Sequence, residues 1–383
     1  MRNIEPVLEP WCRVAEQQQA EAKKSLSSGV VVFGCGQLGQ RVLSILTQNG
    51  IEPACLSDNN SNSWGSIVGS RPVLEPAEAV RRYGKSHTFV VAIWNPAVKS
   101  ALASVTLQLL ELGCRSVLSF VPYLRLFSHE ALPYYLWSNT AEIWSALPEI
   151  EAALALFGDE RSRTEFLGHL EFRLTADPRC LPPLEAGTQY FPPFLAANSS
   201  DVFVDCGAYD GDSIRDFVAW SAGKFRKIIA FEPDPVCRTM LLRQLQTICA
   251  MDRCQVRPEV VWSETGIIHF NATGQAAAAV SVNESGIALH AIALDDVKLE
   301  NPTFLKFDIE GAETAALLGA RQTITTWQPT IAVCVYHRPS DLWRIPLLLS
   351  DLCPNSELRL RSHRADGLDS VCYAVPSERK ISD

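Results

Sequence analysis

Aspartates crowd the stretch DVFVDCGAYDGDS, residues 201–213, where Asp205, Asp210 and Asp212 alternate with Gly207 and Gly211. An apolar run leads into the first of these acids, as when a buried strand delivers a turn to the carboxyl edge of a sheet. Glycines in such a turn let the backbone approach a nucleotide-type ligand closely. In dinucleotide enzymes the loop reads G-x-G-x-x-G, and the helix behind it holds a pyrophosphate. Carboxylates repel a pyrophosphate but suit a ligand carrying an ammonium and a sulfonium, so the expected ligand is S-adenosylmethionine. Its expected contacts are Asp205, Gly207, Ala208, Tyr209, Gly211, Asp212 and Ser213. The following run, KIIAFEPDP, ends in Glu232 and Pro233, where a carboxylate can accept hydrogen bonds from both ribose hydroxyls. Single acids after strands are commonly just solvated. An acidic glycine loop followed by a strand ending in Glu-Pro is a more specific pattern.

A different glycine loop lies upstream in VVVFGCGQLGQRV. Gly34, Gly36 and Gly39 satisfy G-x-G-x-x-G, and Asp58 follows at about the distance of a ribose ligand in that motif. The surrounding segments alternate between strand-like and helix-like from residue 28 to 120, which predicts a small parallel sheet with helices on its faces. Residues 1–27 are read as a helical or flexible lead. Residues 121–200 read as a helical connector punctuated by prolines, with an aromatic loop from Tyr190 to Phe194 beside the second unit. From 201 to 383 the strands DVFVD, KIIAFE, CQVRPEVVW, TFLKFDI and TIAVCVY alternate with helices, and SELRLRS with DSVCYAVP forms a terminal antiparallel hairpin. The expected fold is α/β in two domains.

DVFVDCGAYDGDS, IIAFEPDP, IALDD and FLKFDIEGAE, in that order, resemble the FkbM-type S-adenosylmethionine-dependent methyltransferases. The resemblance runs from about residue 185 to 376, and LKFDIEGAE, Leu305 to Glu313, is its most specific element. It implies a class I methyltransferase sheet of seven strands, the last antiparallel. The upstream run FGCGQLGQRVLSILTQNG resembles, less specifically, the Rossmann-like domain that precedes sugar acyltransferases. That likeness implies an acceptor-binding or assembly module, with Asp58 holding a ribose or sugar hydroxyl.

Methyl transfer to a hydroxyl requires donor and acceptor held in line and a group to take the proton. In the implied topology Asp308 ends one strand and His337 follows its neighbour, so both side chains can reach one hydroxyl. At an unperturbed pKa near ~6.5, His337 would serve as base and the rate would rise near pH ~6–7. A surface histidine and a helix-capping aspartate are the plainer alternatives. A hard cation is another: Asp308 with Asp295 or Asp296 offers the oxygen ligands that magnesium prefers. Glu313 is expected to pack or cap on its helix. The Asn/Asp-Pro-Pro-aromatic loop of base-amino methyltransferases is absent, since WNPAVK, Trp94 to Lys99, lacks the second proline. Oxygen is therefore the favoured acceptor atom, on a carbohydrate, nucleotide-sugar or glycoconjugate.

Bulk properties bound these readings. With 47% hydrophobic and 20% charged residues the chain has globular composition, and a formal charge of −9 argues against a nucleic-acid partner. No secretion signal and no membrane span are expected, which suggests a cytoplasmic protein. The cysteines are scattered without C-x-x-C pairs and read as reduced thiols. A non-catalytic binding module, or a nicotinamide oxidoreductase built on the upstream loop, are the competing functions.

Overall fold

The computed structural model describes residues 4–94, 100–248, 251–270 and 287–381. They form two compact units. The first comprises Met1–Glu151, Leu167–Pro182 and Arg364–Leu368; the second comprises Ala152–Phe166, Pro183–His363 and Asp369–Asp383. The stretch 121–200, expected as one connector, is thus divided between the two.

In the first unit, helix Glu5–Ser28 starts on a first-turn proline and ends at Gly29, whose φ of 104° suits a residue without Cβ. The strands are β1 (Val30–Phe33), β2 (Leu56–Ser57), β3 (Ile67–Val68), β4 (Arg71–Leu74), β5 (Thr88–Val91) and β6 (Ser116–Ser119), in the order β3-β4-β2-β1-β5-β6. All neighbours pair in parallel except β3 with β4. Every residue of β1 is buried, as a continuous apolar run in the middle of a parallel sheet requires. The loop after β1 needs its glycines for packing. A Cβ on Gly34 would stand 2.7 Å from the Ala92 carbonyl oxygen, and one on Gly39 would stand 1.9 Å from the Gly34 carbonyl oxygen. Beyond β5, Trp94 packs among Phe120, Tyr134, Tyr135 and Trp137. The rest of the WNPAVK motif lies outside the described residues.

The second unit carries β7 (Val202–Cys206), β8 (Lys227–Phe231), β9 (Cys254–Arg257), β13 (Phe304–Phe307), β14 (Thr330–Cys334), β15 (Glu357–Ser362) and β16 (Ser370–Val375), in the order β15-β16-β14-β13-β7-β8-β9. Only β16 runs antiparallel to its neighbours, so this is the expected seven-stranded methyltransferase sheet. Between β9 and β13, a three-stranded sheet is made by β10 (Val260–Val261), β11 (Gly266–Phe270) and β12 (Ile287–Ile292). The run CQVRPEVVW, expected as one strand, breaks at Pro258, which has no N–H for a ladder. Its first half pairs with β8 and its second with β12.

Strand order reverses between β7 and β13, the position where open α/β sheets bind ligands. Behind it, Phe203 stacks on Phe217 at 4.6 Å, and Phe191 sits on Trp220 at 5.0 Å and on Phe304 at 5.3 Å. Phe191 thereby anchors the aromatic loop to the second sheet. Among the described residues no helix is long and apolar enough to cross a membrane, and the cysteines are free thiols.

Candidate active site

The loop after β7 turns through residues in the left-handed region, Gly207 at φ 91°, Tyr209 at 46° and Gly211 at 94°. Gly207 presses against the end of β13: a Cβ there would lie 1.9 Å from the Asp308 carbonyl oxygen. Glu232, just past β8, is buried and fixes this turn. Its two carboxylate oxygens accept the backbone N–H of Tyr209 and of Asp234, each at 2.8 Å. Burial raises its pKa, while those two bonds pull it back. A carboxylate has about four lone-pair sites, so Glu232 retains acceptors for a ribose diol. Asp212 and Tyr209 are exposed, while Gly211, Ala208 and Ser213 are buried. Pro233 starts the turn toward helix Pro235–Thr247, which Asp234 caps.

Asp205 requires a correction. The register of β7 on β13 sets it opposite Lys306, and it is fully buried. Lys306 Nζ is 2.8 Å from one carboxylate oxygen, and the Ser213 hydroxyl donates to the other. Asp205 therefore braces the loop from within the sheet, with Lys306 and Ser213 on its two oxygens. Burial pushes its pKa up despite Lys306. For Lys306, burial disfavours the charge, but Asp205 and Asp308 together outweigh it and raise the pKa. The two directions agree once the lysine is seen to answer two carboxylates.

At the ends of β13 and β14 the side chains of Asp308 and His337 do meet. His337 Nε2 lies 3.4 Å from Asp308 Oδ1 and 3.8 Å from Glu310 Oε2, and Nδ1 lies 2.8 Å from Glu313 Oε1. Tyr190, from the aromatic loop, donates its hydroxyl to Asp308 Oδ2 at 2.7 Å. Burial works against ionised Asp308, yet Lys306 and His337 hold its pKa below the usual carboxylate range. His337 shows the opposite balance. Burial opposes its charge, but Glu313, with Asp308 and Glu310, raises the imidazole to about 10. An imidazole that keeps its proton so far is not the base expected to titrate near ~6.5, and a rate limb near pH ~6–7 does not belong to it. Glu310 holds a left-handed backbone at φ 55°, rare for a residue with a side chain, and its side chain is 47% exposed. Glu313 accepts the Ile309 N–H at 2.9 Å as well as the histidine.

The magnesium pair expected with Asp308 does not form. Asp295 accepts the N–H groups of Gln322 and Thr323 at 2.9 and 2.7 Å, and Asp296 accepts the Thr265 hydroxyl. In the first unit Asp58, just past β2, ties its own loop to the glycine loop after β1, accepting the Asn60 and Cys35 N–H groups at 2.8 Å each.

Residues 205–359 match the family model of the methyltransferase FkbM domain. This stretch is similar to the FkbM methyltransferase domain. The solved FkbM methyltransferase of Methylobacillus flagellatus matches with a TM-score of 0.77 at 21% identity, covering 96% of this chain and 98% of its own. The likeness in fold therefore spans both units, not the FkbM domain alone. An rRNA methylase from Streptococcus thermophilus aligns at 12% identity and a TM-score of 0.31 over 47% of this chain and 90% of its own. Aeropyrum pernix fibrillarin, solved with S-adenosyl-L-methionine, aligns at 10% identity and 0.29 over 47% and 67%. No curated protein matches the chain. Sequence reasoning missed Lys306 and Tyr190 as neighbours of Asp308. Lys306 was visible as a lone charge inside the apolar run FLKF. Nothing in the sequence paired Tyr190 with a residue more than a hundred positions away.

Proposed function

We propose that the protein is an S-adenosylmethionine-dependent O-methyltransferase acting on a hydroxyl of a carbohydrate, nucleotide-sugar or glycoconjugate. The observation that carries this reading is the contact of two chemically different edges at one switch point. The Gly207 loop, backed by Glu232, abuts the end of β13 where Asp308 and His337 converge.

The residues fit the cofactor. Glu232 keeps lone pairs for the ribose hydroxyls, and the exposed Asp212 offers a carboxylate to a cationic ligand. S-adenosylmethionine supplies an activated methyl group there. Asp308 orients the acceptor hydroxyl and takes its proton as the new carbon–oxygen bond forms. A low carboxylate pKa suffices, because an oxygen that has gained a methyl while still protonated is a far stronger acid than a carboxylic acid. His337, held charged, balances the anionic cluster and fixes Asp308, and Tyr190 fixes it from the other side.

Transfer of labelled methyl to a panel of nucleotide-sugars and glycans tests the reading. Asp308→Asn should bind cofactor nearly as wild type yet turn over about 10²–10⁴-fold more slowly, the range for a lost proton acceptor. Retained cofactor binding with no methylated product across the panel would favour a binding module instead.

A further inference from the structure

The edge formed by β13 and β14 gathers more ligand-type atoms than methyl transfer by itself requires. Asp308, Glu313 and His337 each offer one donor atom, and these atoms lie within 4.8 Å of one another. The His337 side chain is 2% exposed and that of Glu313 is 0%. His337 Nε2 and Glu313 Oε2 are buried and have no hydrogen-bond partner among the described residues. Nε2 points at the Asp308 carboxylate at 3.4 Å, with Glu310 at 3.8 Å. Asp308 is 26% exposed, so the cluster opens to ligand on that side. Carboxylates outnumber cations here. Lys306 Nζ lies 2.8 Å from Asp205 and also offsets Asp308, while the His337 imidazole faces the carboxylates of Asp308, Glu310 and Glu313.

We propose that Asp308 and His337 Nε2, with Glu313 orienting the imidazole through Nδ1, bind a divalent cation of the manganese, iron or zinc class, which displaces the Nε2 proton. An imidazole nitrogen combined with carboxylate oxygens is a donor set for these ions, whereas magnesium takes oxygen ligands and water. The cation gives the buried Nε2 a partner and supplies, beside Asp308 and Glu310, the positive charge that the imidazole proton otherwise carries. Its chemical role rests on the methyltransferase reading: bound next to Asp308, it draws the acceptor hydroxyl to this edge and eases loss of its proton, as a metal does for bound water. The binding itself does not depend on that reading.

The test uses the full chain, stripped with chelator and titrated at pH 8 with MnCl2, followed by the electron paramagnetic resonance of free Mn2+, and with ZnCl2 by calorimetry. Saturable binding at one site per chain is expected. Asp308→Asn and His337→Gln should each weaken it by at least about tenfold, the smallest loss usual even for outer partners of a ligand. Asp295→Asn should leave it unchanged, because that residue caps a helix elsewhere. Glu313→Gln alters a fully buried site, so the partly exposed Asp308 variant, checked by its melting temperature and cofactor affinity, is the decisive one. Absence of saturable Mn2+ or Zn2+ binding, or equal binding in the Asp308 and His337 variants, overturns the proposal. A chain that binds the cation but methylates no acceptor keeps the metal site and sinks the methyltransferase reading. A chelated chain that methylates at full rate removes the cation from the reaction, and the binding titration alone then decides the site.

Discussion

Glu232 has two duties that can be separated experimentally. It closes the loop through Tyr209 and Asp234, and in the proposed function it offers its remaining lone pairs to the cofactor. Glu232→Ala should weaken S-adenosylmethionine binding by about 1.5–3 kcal/mol, the scale of hydrogen bonds to a charged group. Calorimetry measures this, and an unchanged affinity would remove Glu232 from the site. Single residues also show where sequence reasoning fails. The placement of Asp308 and Glu232 just past strand ends was legible because apolar runs mark where each strand leaves the sheet. Asp205 was assigned to the ligand because it shares a loop with exposed acids, yet it still belongs to the strand, whose register turns it inward to Lys306. The charge state of His337 was not legible, since it depends on Glu313 and Glu310 approaching within 2.8 and 3.8 Å.

Among the elements, the close approach of the β7 loop to the β13 end is the feature that assembles the site. Gly207→Ala imposes both a left-handed backbone at φ 91° and a clash with the Asp308 carbonyl oxygen. Gly223 has φ 71° with nothing within 4 Å of a Cβ, so Gly223→Ala carries the backbone cost alone, roughly 1–2 kcal/mol. Melting temperature should drop in both, but only Gly207→Ala should also lose cofactor affinity. Equal cofactor affinity in the two variants would mean that the approach is not needed for binding. The parallel strands could be read from their apolar runs. The sheet of β10, β11 and β12 could not, because β10 is two residues long and β12 pairs with segments on both sides of a turn.

For the whole molecule, pH reports on burial away from the site. Burial, with Arg361 nearby, lowers His363 to about 4, and burial with Arg173 lowers His169 to about 3. The Tyr373 hydroxyl donates to the Gln189 carbonyl, so His363 Nε2 must donate to Tyr373, which fixes a neutral tautomer. Both folded pKa values lie below the ~6.5 of an exposed imidazole. The unfolded chain therefore binds more protons as pH falls, and the stability these groups contribute is complete above pH ~6.5 and is lost toward about 4 and then 3. Asp341, pushed up to about 7 mainly by burial and by Glu313, works in the opposite sense between its ordinary value and 7. Denaturant unfolding of His363→Gln against wild type at pH 7.5, 6 and 5 isolates the histidine, and the variant should lose less stability on acidification. Parallel curves would show that His363 titrates normally. Of the molecule's organisation, the two α/β units were legible in the alternation of segments. The division of residues 121–200 was not, because helices carry no mark of the core they join.

The Lys306–Asp205 pair constrains how this sheet can change over generations. Loss of Lys306 leaves the buried Asp205 carboxylate unanswered and loss of Asp205 leaves Lys306 only Asp308, a cost of up to about 3–5 kcal/mol, while exchange of both for apolar groups of similar volume can be neutral. Lys306→Met and Asp205→Leu should therefore each be severely destabilising alone and much less so together, a coupling that a double-mutant cycle reads directly. Additive effects would show the two positions to be independent. If they are coupled, lineages can reach the apolar version only through an intermediate that barely folds, and the buried ion pair persists for want of a viable single step away from it.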